Sequence, residues 1–333
     1  MPFTRRTIVK LAAPALFGFA VLAAASAQTQ AQDWPNKPIK MIVPFPAGGG
    51  TDFIARLVAQ QLTTRLGQPV YVENRGGANG AIGLQAFKQS DPDGYTIAVT
   101  PNTPLVVAPS LQANLPYKPL EDFIPVAPMA RFPSVLAAHP SAKIRSVPEL
   151  IAAAKAKPGS LAYGTSGVGG FSHLAMELFA LHAGVKLLHV PYKGAGPAAL
   201  GQIAGDVELG YNNVQVLLQN IRAGQLVALG VGERQRMPVL PDVPTIFETV
   251  PDLPAFGMTS WAGMIVPAKT PKAIVERLNK EVAAVLADPE VARLLDVQQI
   301  VPFSLEQAAF AQLVKTELDE WAKFIKATKI AVD

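Results

Sequence analysis

Four times in this sequence an apolar, strand-like run ends in a loop of Gly, Ser, Thr, Asn and Ala that leads straight into a helix start. The clearest case joins Met41, Ile42 and Val43 to Pro46, Ala47, Gly48, Gly49, Gly50, Thr51 and Asp52, with a helical run expected over 53–66. The second loop, 74–81, holds Gly77, Ala78, Asn79 and Gly80. The third, 164–173, holds Thr165, Ser166, Gly167, Gly169 and His173, and the fourth, 191–198, holds Tyr192, Lys193 and Gly194. Loops without bulky side chains let backbone N–H groups approach a ligand, and each helix start adds unpaired amides and the positive end of its dipole. Bulk at Gly49 or Gly167 would block that approach. The pattern describes a cleft for one small anion.

Around these loops the chain alternates strands and helices. Strands are expected over 39–43, 70–73, 95–100, 161–164, 187–190, 207–211 and 226–231, with a returning strand over 260–266. Ser146 and Glu149 form a capping box for a helix stopped by Pro158 and Gly159. Thr270 and Pro271 open a helix with Ile274, Leu278, Val282 and Val285 on one face, and Ser304 with Gln307 caps a C-terminal helix reaching about Ala327. The prolines clustered over 101–148 and 238–254 read as lobe crossings and surface excursions. Such alternation predicts an α/β fold with parallel or mixed sheets, whose ligands bind beyond the strand ends.

The first residues set the compartment. Arg5, Arg6 and Lys10 precede an apolar run over 11–24, and Ala25, Ser26 and Ala27 offer a cleavage site before Gln28, with a second choice ending at Ala31. Residues 1–27 therefore read as a signal peptide, with the Arg5–Arg6 pair resembling the twin-arginine export signal. The run is shorter than a membrane span needs and contains Pro14. The three cations leave with the leader, so 29 Lys and Arg against 25 Asp and Glu becomes near parity, and nothing in the charge pattern points to nucleic acid. Zero cysteines exclude disulfides, thiol catalysis, zinc–thiolate sites and a lipid-modified anchor. The expectation is a soluble periplasmic protein. The length that remains exceeds what one core usually serves, so two lobes are expected.

Catalytic patterns fail on inspection. Gly164 to Gly167 begins like a nucleophile elbow, but Val168 stands at the final Gly position. Neither Gly-rich loop completes a dinucleotide fingerprint, and no Gly-Lys pair makes a phosphate loop. His139, His173, His182 and His189 show no metal-ligand spacing. A secreted hydrolase using Ser166, His173 and Asp52 is the competing reading. Asp52 reads as a first-turn cap, Arg75 as a solvated charge and Trp261 as core or hinge packing. His173, Tyr192 and Lys193 stay open between ligand contact and an ordinary packing or surface role.

Taken in order, segments 43–52, 73–83, 163–177, 190–198, 230–245 and 260–271 resemble the extracytoplasmic solute receptors of tripartite tricarboxylate transporters, the Bug family, over essentially the whole mature length. The resemblance implies a type II, Venus-flytrap periplasmic binding protein with a central mixed sheet in each of two lobes. Residues 32–130 and 256–333 would form the first lobe and 131–255 the second, with crossings near 126–133 and 256–266. It further implies a monomer that is not an enzyme, uses no cofactor or metal, closes on a small organic carboxylate and serves an inner-membrane tripartite permease. One carboxylate would be held by amides and bridging waters at Pro46 to Asp52, faced by 163–169. The far end of the ligand would be read by Gly77 to Gly80, Thr100 to Asn102, Tyr192 to Gly194, and Tyr211 to Asn213, including Asn212. Two departures stand out: Glu208 where relatives carry Asp after Gly-x-Val, and Tyr211-Asn212-Asn213 in place of Phe-Asp-Asn. The second bears on selectivity in the distal cleft.

Overall fold

A computed structural model describes residues 34–328 and 330, so the leader expected over 1–27 lies outside the described residues. Eleven strands among those residues form two sheets. In the first, β1 (Ile39–Val43) lies parallel between β2 (Val70–Asn74) and β3 (Thr96–Pro101). β10 (Ser260–Pro267) runs antiparallel between β3 and β4 (Phe123–Phe132), and the short β11 (Val301–Pro302) closes the edge. In the second sheet, β6 (Ala162–Thr165) lies parallel between β7 (Leu188–Pro191) and β8 (Leu209–Asn213). β5 (Ser134–Ala138) pairs antiparallel with β8 and β9 (Val227–Val231). Both sheets are mixed, as expected.

The proline-rich stretch before residue 148 departs from the sequence expectation. It holds β4, a ten-residue central strand, and β5, every residue of which is buried. Pro125 and Pro128 fit inside β4 because its register with β10 shifts twice, between Ala262 and Gly263 and between Met264 and Ile265. Such irregularities accommodate residues that lack an N–H.

Helices follow the parallel strands. α1 (Gly50–Leu66) begins three residues earlier than expected, buries Ile54, Leu57, Val58 and Leu62, and stops at Gly67, whose left-handed φ of 69° lets its N–H reach Thr63 O. α2 (Ala81–Lys88) and α3 (Val147–Ala156) follow. Ser146 Oγ accepts the Glu149 N–H as predicted, but the Glu149 carboxylate accepts from Arg145 N–H, so the box closes one residue early. α4 (Phe171–Ala183), α5 (Ala195–Ala204) and α6 (Val214–Arg222) serve the second sheet. α7 (Lys272–Leu286) buries Ile274, Leu278, Val282 and Val285, as its 3.6-residue periodicity predicts. α8 (Pro289–Val297) and α9 (Gln307–Thr328) complete the chain, α9 packing on β4. Among the described residues no helix is long and apolar enough to cross a membrane.

The chain changes sheet at one residue. β4 ends at Phe132 and β5 begins at Ser134, with Pro133 between them. The return ends at Ser260, the register partner of Phe132.

Candidate functional site

Three helix starts face one cavity of about 300 Å³. α1, α4 and α5 are preceded by Gly49, Gly170 and Gly194, none of which offers a side-chain cap. Their first backbone bonds run from Phe53 N–H to Gly49 O (2.9 Å), Leu174 N–H to Gly170 O (3.1 Å) and Ala198 N–H to Gly194 O (3.2 Å). The amides ahead of these bonds have no acceptor within their helices. Gly50 and Thr51 of α1, Phe171 and Ser172 of α4, and Ala195 of α5 line the cavity. Glycine at all three caps removes the side chain that would otherwise take those donors. α6 differs: its Val214 N–H is taken by Pro133 O at 2.8 Å, and Asn213 Oδ1 accepts from Ser134 Oγ at 3.1 Å.

Of the residues expected from sequence, Gly50, Thr51, Asn79, Asn102, Ser166, Gly167, Asn212 and Asn213 line this cavity. Pro46, Ala47, Gly48 and Gly49 are exposed one step behind it. A Cβ at Gly49 would meet open space, whereas one at Gly50 would lie 2.7 Å from Phe132 Cε1, so Gly50 is the close-approach position. Gly77, Ala78 and Gly80 shape the turn that carries Asn79, with Ala78 (φ 46°) and Asn79 (φ 50°) left-handed. Thr100 is buried outside the lining, Lys193 is exposed, and Tyr192 packs against Gly201 and Gly164.

Asp52 is a brace. Its carboxylate accepts from Gly48 N–H (2.9 Å), Arg56 Nε (3.0 Å) and Asn74 Nδ2 (2.9 Å). Burial opposes its ionisation, but these donors outweigh burial and hold its carboxyl below the usual range. The third loop is braced too. Ser166 N–H donates to Ser172 Oγ (3.0 Å), Gly167 N–H to Thr165 Oγ1 (3.4 Å), and Gly169 N–H to His173 Nδ1 (3.1 Å). His173 stacks on His189 at 3.9 Å, and His189 Nε2 meets Thr165 Oγ1 at 2.6 Å. Burial pushes both imidazoles down to about 4, with His173 adding to the effect on His189. Neutral His173 is therefore available as the acceptor that holds Gly169. The amides of Ser166, Gly167 and Gly169 are thus committed within the loop.

The same contacts keep the residues of the hydrolase reading apart. Ser166 Oγ has Ser172 Oγ for a neighbour (3.2 Å), His173 Nδ1 faces Gly169, and Asp52 is held by Arg56 and Asn74. Ser166, His173 and Asp52 do not hydrogen-bond to one another as a nucleophile, base and acid would.

Sequence reasoning missed Phe45, Thr103, Phe132 and Ser260, whereas Pro101, Val168, Gly170, Phe171, Ser172 and Ala195 fall within the expected loops without being singled out. Phe45 and Phe171 flank the Gly-rich loops and were legible as their apolar neighbours. Phe132 and Ser260 depend on strand pairing across about 130 residues, which no local pattern carries. Among the described residues, no Asp, Glu, His, Lys or Arg lines the cavity.

A larger cavity, about 610 Å³, lies on the other face of the β4–β10 pair. Side chains alternate along a strand, so Phe132 and Ser260 face the first cavity while Arg131 and Trp261 face the second. Trp261 packs edge-on against Phe310 and donates to both oxygens of Glu317 at 3.0 Å. Burial pushes the Glu317 carboxyl up to about 7. The three helix starts do not reach this space, so the smaller cavity is the candidate site.

Two mixed sheets joined by two crossings, with a cleft at the helix starts, define the periplasmic binding protein class. The model of the tripartite tricarboxylate transporter family receptor matches residues 54–330. The chain is similar to Protein BugT of Bordetella pertussis, 37% identical over 311 residues that cover 93% of this chain and 95% of that protein. Among solved structures it is similar to Rpa4515 of R. palustris with adipate, at TM-score 0.79 and 33% identity, covering 90% of this chain and 99% of that one. It is also similar to MatC from Rhodopseudomonas palustris with bound malate, at TM-score 0.74 and 29% identity, covering 87% and 99%. The chain belongs to the tripartite tricarboxylate transporter receptor family.

Proposed function

We propose that this protein is a periplasmic receptor that closes two lobes on a small organic carboxylate and presents it to a tripartite tricarboxylate-type permease. The observation that carries the reading is the convergence of uncapped α1, α4 and α5 on one cavity. A carboxylate leaving water needs its lost hydration replaced, and oriented amides with the positive ends of helix dipoles do so without a flexible cation. A micromolar complex needs about 8 kcal/mol, within reach of a few charge-assisted hydrogen bonds and lobe closure. In this reading the lobes are 34–132 with 260–330, and 133–259, with pivots at Pro133 and Ser260. The boundaries expected from sequence lie within a few residues of these. Relatives solved with adipate and malate support an acid as ligand.

A thermal-shift screen of small organic acids on the purified protein tests this. At about 100 times its dissociation constant a ligand adds roughly 2.7 kcal/mol of stability. No stabilising acid in a broad screen, with nothing co-purifying by native mass spectrometry, would contradict the reading.

A further inference from the structure

We infer that Glu317 is a positioning residue for the cleft: from behind the first sheet it sets which end of the Asn102 side-chain amide is left to the cleft, and so ties ligand capture to its own protonation. The effect on capture rests on the carboxylate-receptor reading; the relation between the two residues does not. Their placement, an orphaned atom and the chemistry of the two groups carry the inference.

Asn102 follows β3, is 2% exposed and lines the cleft. Glu317 on α9 is 8% exposed and lines the larger cavity behind it. Both Glu317 oxygens accept from Trp261 Nε1, and the Asn102 amide acts on the same carboxylate, favouring its ionised form. The two cavities are thus linked through one buried acid and one buried amide. Among the described residues, Asn102 Oδ1 is a buried acceptor with no hydrogen-bond partner. Leaving such an atom alone is costly, so an arrangement that pairs it competes with the one observed.

Protonation of Glu317 supplies that arrangement. An ionised carboxylate only accepts, so it draws the Asn102 NH2 and leaves Oδ1 turned away. A protonated Glu317 has an O–H to give, and a half-turn of the amide, which exchanges ends of nearly equal size, brings Oδ1 to meet it. The NH2 is then the end left to the cleft, where it can donate to a ligand carboxylate. Neutral Glu317 also removes a negative charge from behind the cleft, so both effects favour capture in the protonated state. Burial brings this carboxyl up to about 7, which places both forms near neutral pH. The other ionisable groups that face it are Glu320 on α9, which pushes it up, and Arg131 on β4, which pushes it down and lies over the Phe303 ring. Glu233 and Arg234 line the same rear cavity. His173 and His189 change charge at about 4, below this window.

Nuclear magnetic resonance of the unliganded protein tests the relation between the two residues, with the Asn102 signal identified by its loss in Asn102→Ser. The Trp261 indole and Asn102 side-chain amide signals should move together with a midpoint of about 7, and both should stay fixed in Glu317→Gln. An Asn102 signal that stays fixed in the unsubstituted protein, whether or not Trp261 moves, would overturn the inference. Calorimetry with adipate, malate and the most stabilising acid of the thermal-shift screen tests the effect on the cleft. Affinity should rise by about three- to tenfold from about pH 8 to about pH 6, and should stay level in Glu317→Gln, with melting temperatures measured alongside. The same pH dependence in both proteins would overturn the inference while leaving the carboxylate receptor in place. Binding of no acid at all would overturn the receptor reading, and the resonance experiment, which needs no ligand, would still decide the role of Glu317.

Discussion

Phe132 and Ser260 are register partners at the end of the antiparallel β4–β10 pair, and both line the cleft. The chain leaves the first sheet one residue after Phe132 and re-enters it at Ser260. A pair that sits at both crossings and touches the cleft can couple ligand binding to lobe rotation. Small-angle scattering should show a smaller radius of gyration at ligand saturation. Identical profiles with and without ligand would contradict hinge closure.

Gly49 and Gly50 should respond differently to one methyl group. At Gly49 (φ −84°) an added Cβ meets nothing within 4 Å, so Gly49→Ala should change stability by no more than about 0.5 kcal/mol and leave binding intact. At Gly50 the Cβ would lie 2.7 Å from Phe132 Cε1 and 3.1 Å from Gln215 Nε2. Gly50→Ala should therefore cost about 1–3 kcal/mol and weaken ligand binding. Chemical denaturation and calorimetry on the two variants check this, and equal behaviour would contradict the placement of Gly50.

Stability should carry two opposing pH terms. His173 and His189 fall from 6.5 to about 4 through burial, so the unfolded chain binds more protons between those values. Their contribution is full above pH 6.5 and is lost as pH falls through about 4. Glu177 and Tyr163 are the other titratable groups beside the pair. Glu317 rises from 4.5 to about 7 through burial, so its contribution is full below pH 4.5 and is lost as pH rises through about 7. Glu317→Gln should remove the second term, leaving a melting temperature that climbs from pH 4 to 6.5 and then levels. A continued decline between pH 6.5 and 7.5 in that variant would contradict the assignment.

Export gives a separate prediction from residues outside the described structure. Changing Arg5 and Arg6 together to Lys should trap precursor in the cytoplasm, as cell fractionation would show. Normal arrival in the periplasm would mean an ordinary Sec leader.

Much of the fold was legible because its units are local. The strand expected over 39–43 is β1 residue for residue, and β2, β3 and β6 to β9 shift by at most about two residues. The segment over 123–138 was opaque because Pro125 and Pro128 signal irregular chain, and only pairing with β10 shows how bulges absorb them. The site was legible as loops and opaque in its details. Composition identifies Gly-rich loops, but whether an amide is free depends on partners such as Ser172 and His173, which take the donors of Ser166 and Gly169. Asp52 was read as a cap and is in the first helical turn, accepting from Gly48 N–H.

The central claim is that helix-start amides hold an ionised carboxylate. Calorimetry comparing the tightest-binding acid with its primary amide tests it most directly. The amide lacks the charge and brings donors to a site made of donors, so its affinity should fall by about a hundredfold or more. Equal affinity for acid and amide would contradict the claim.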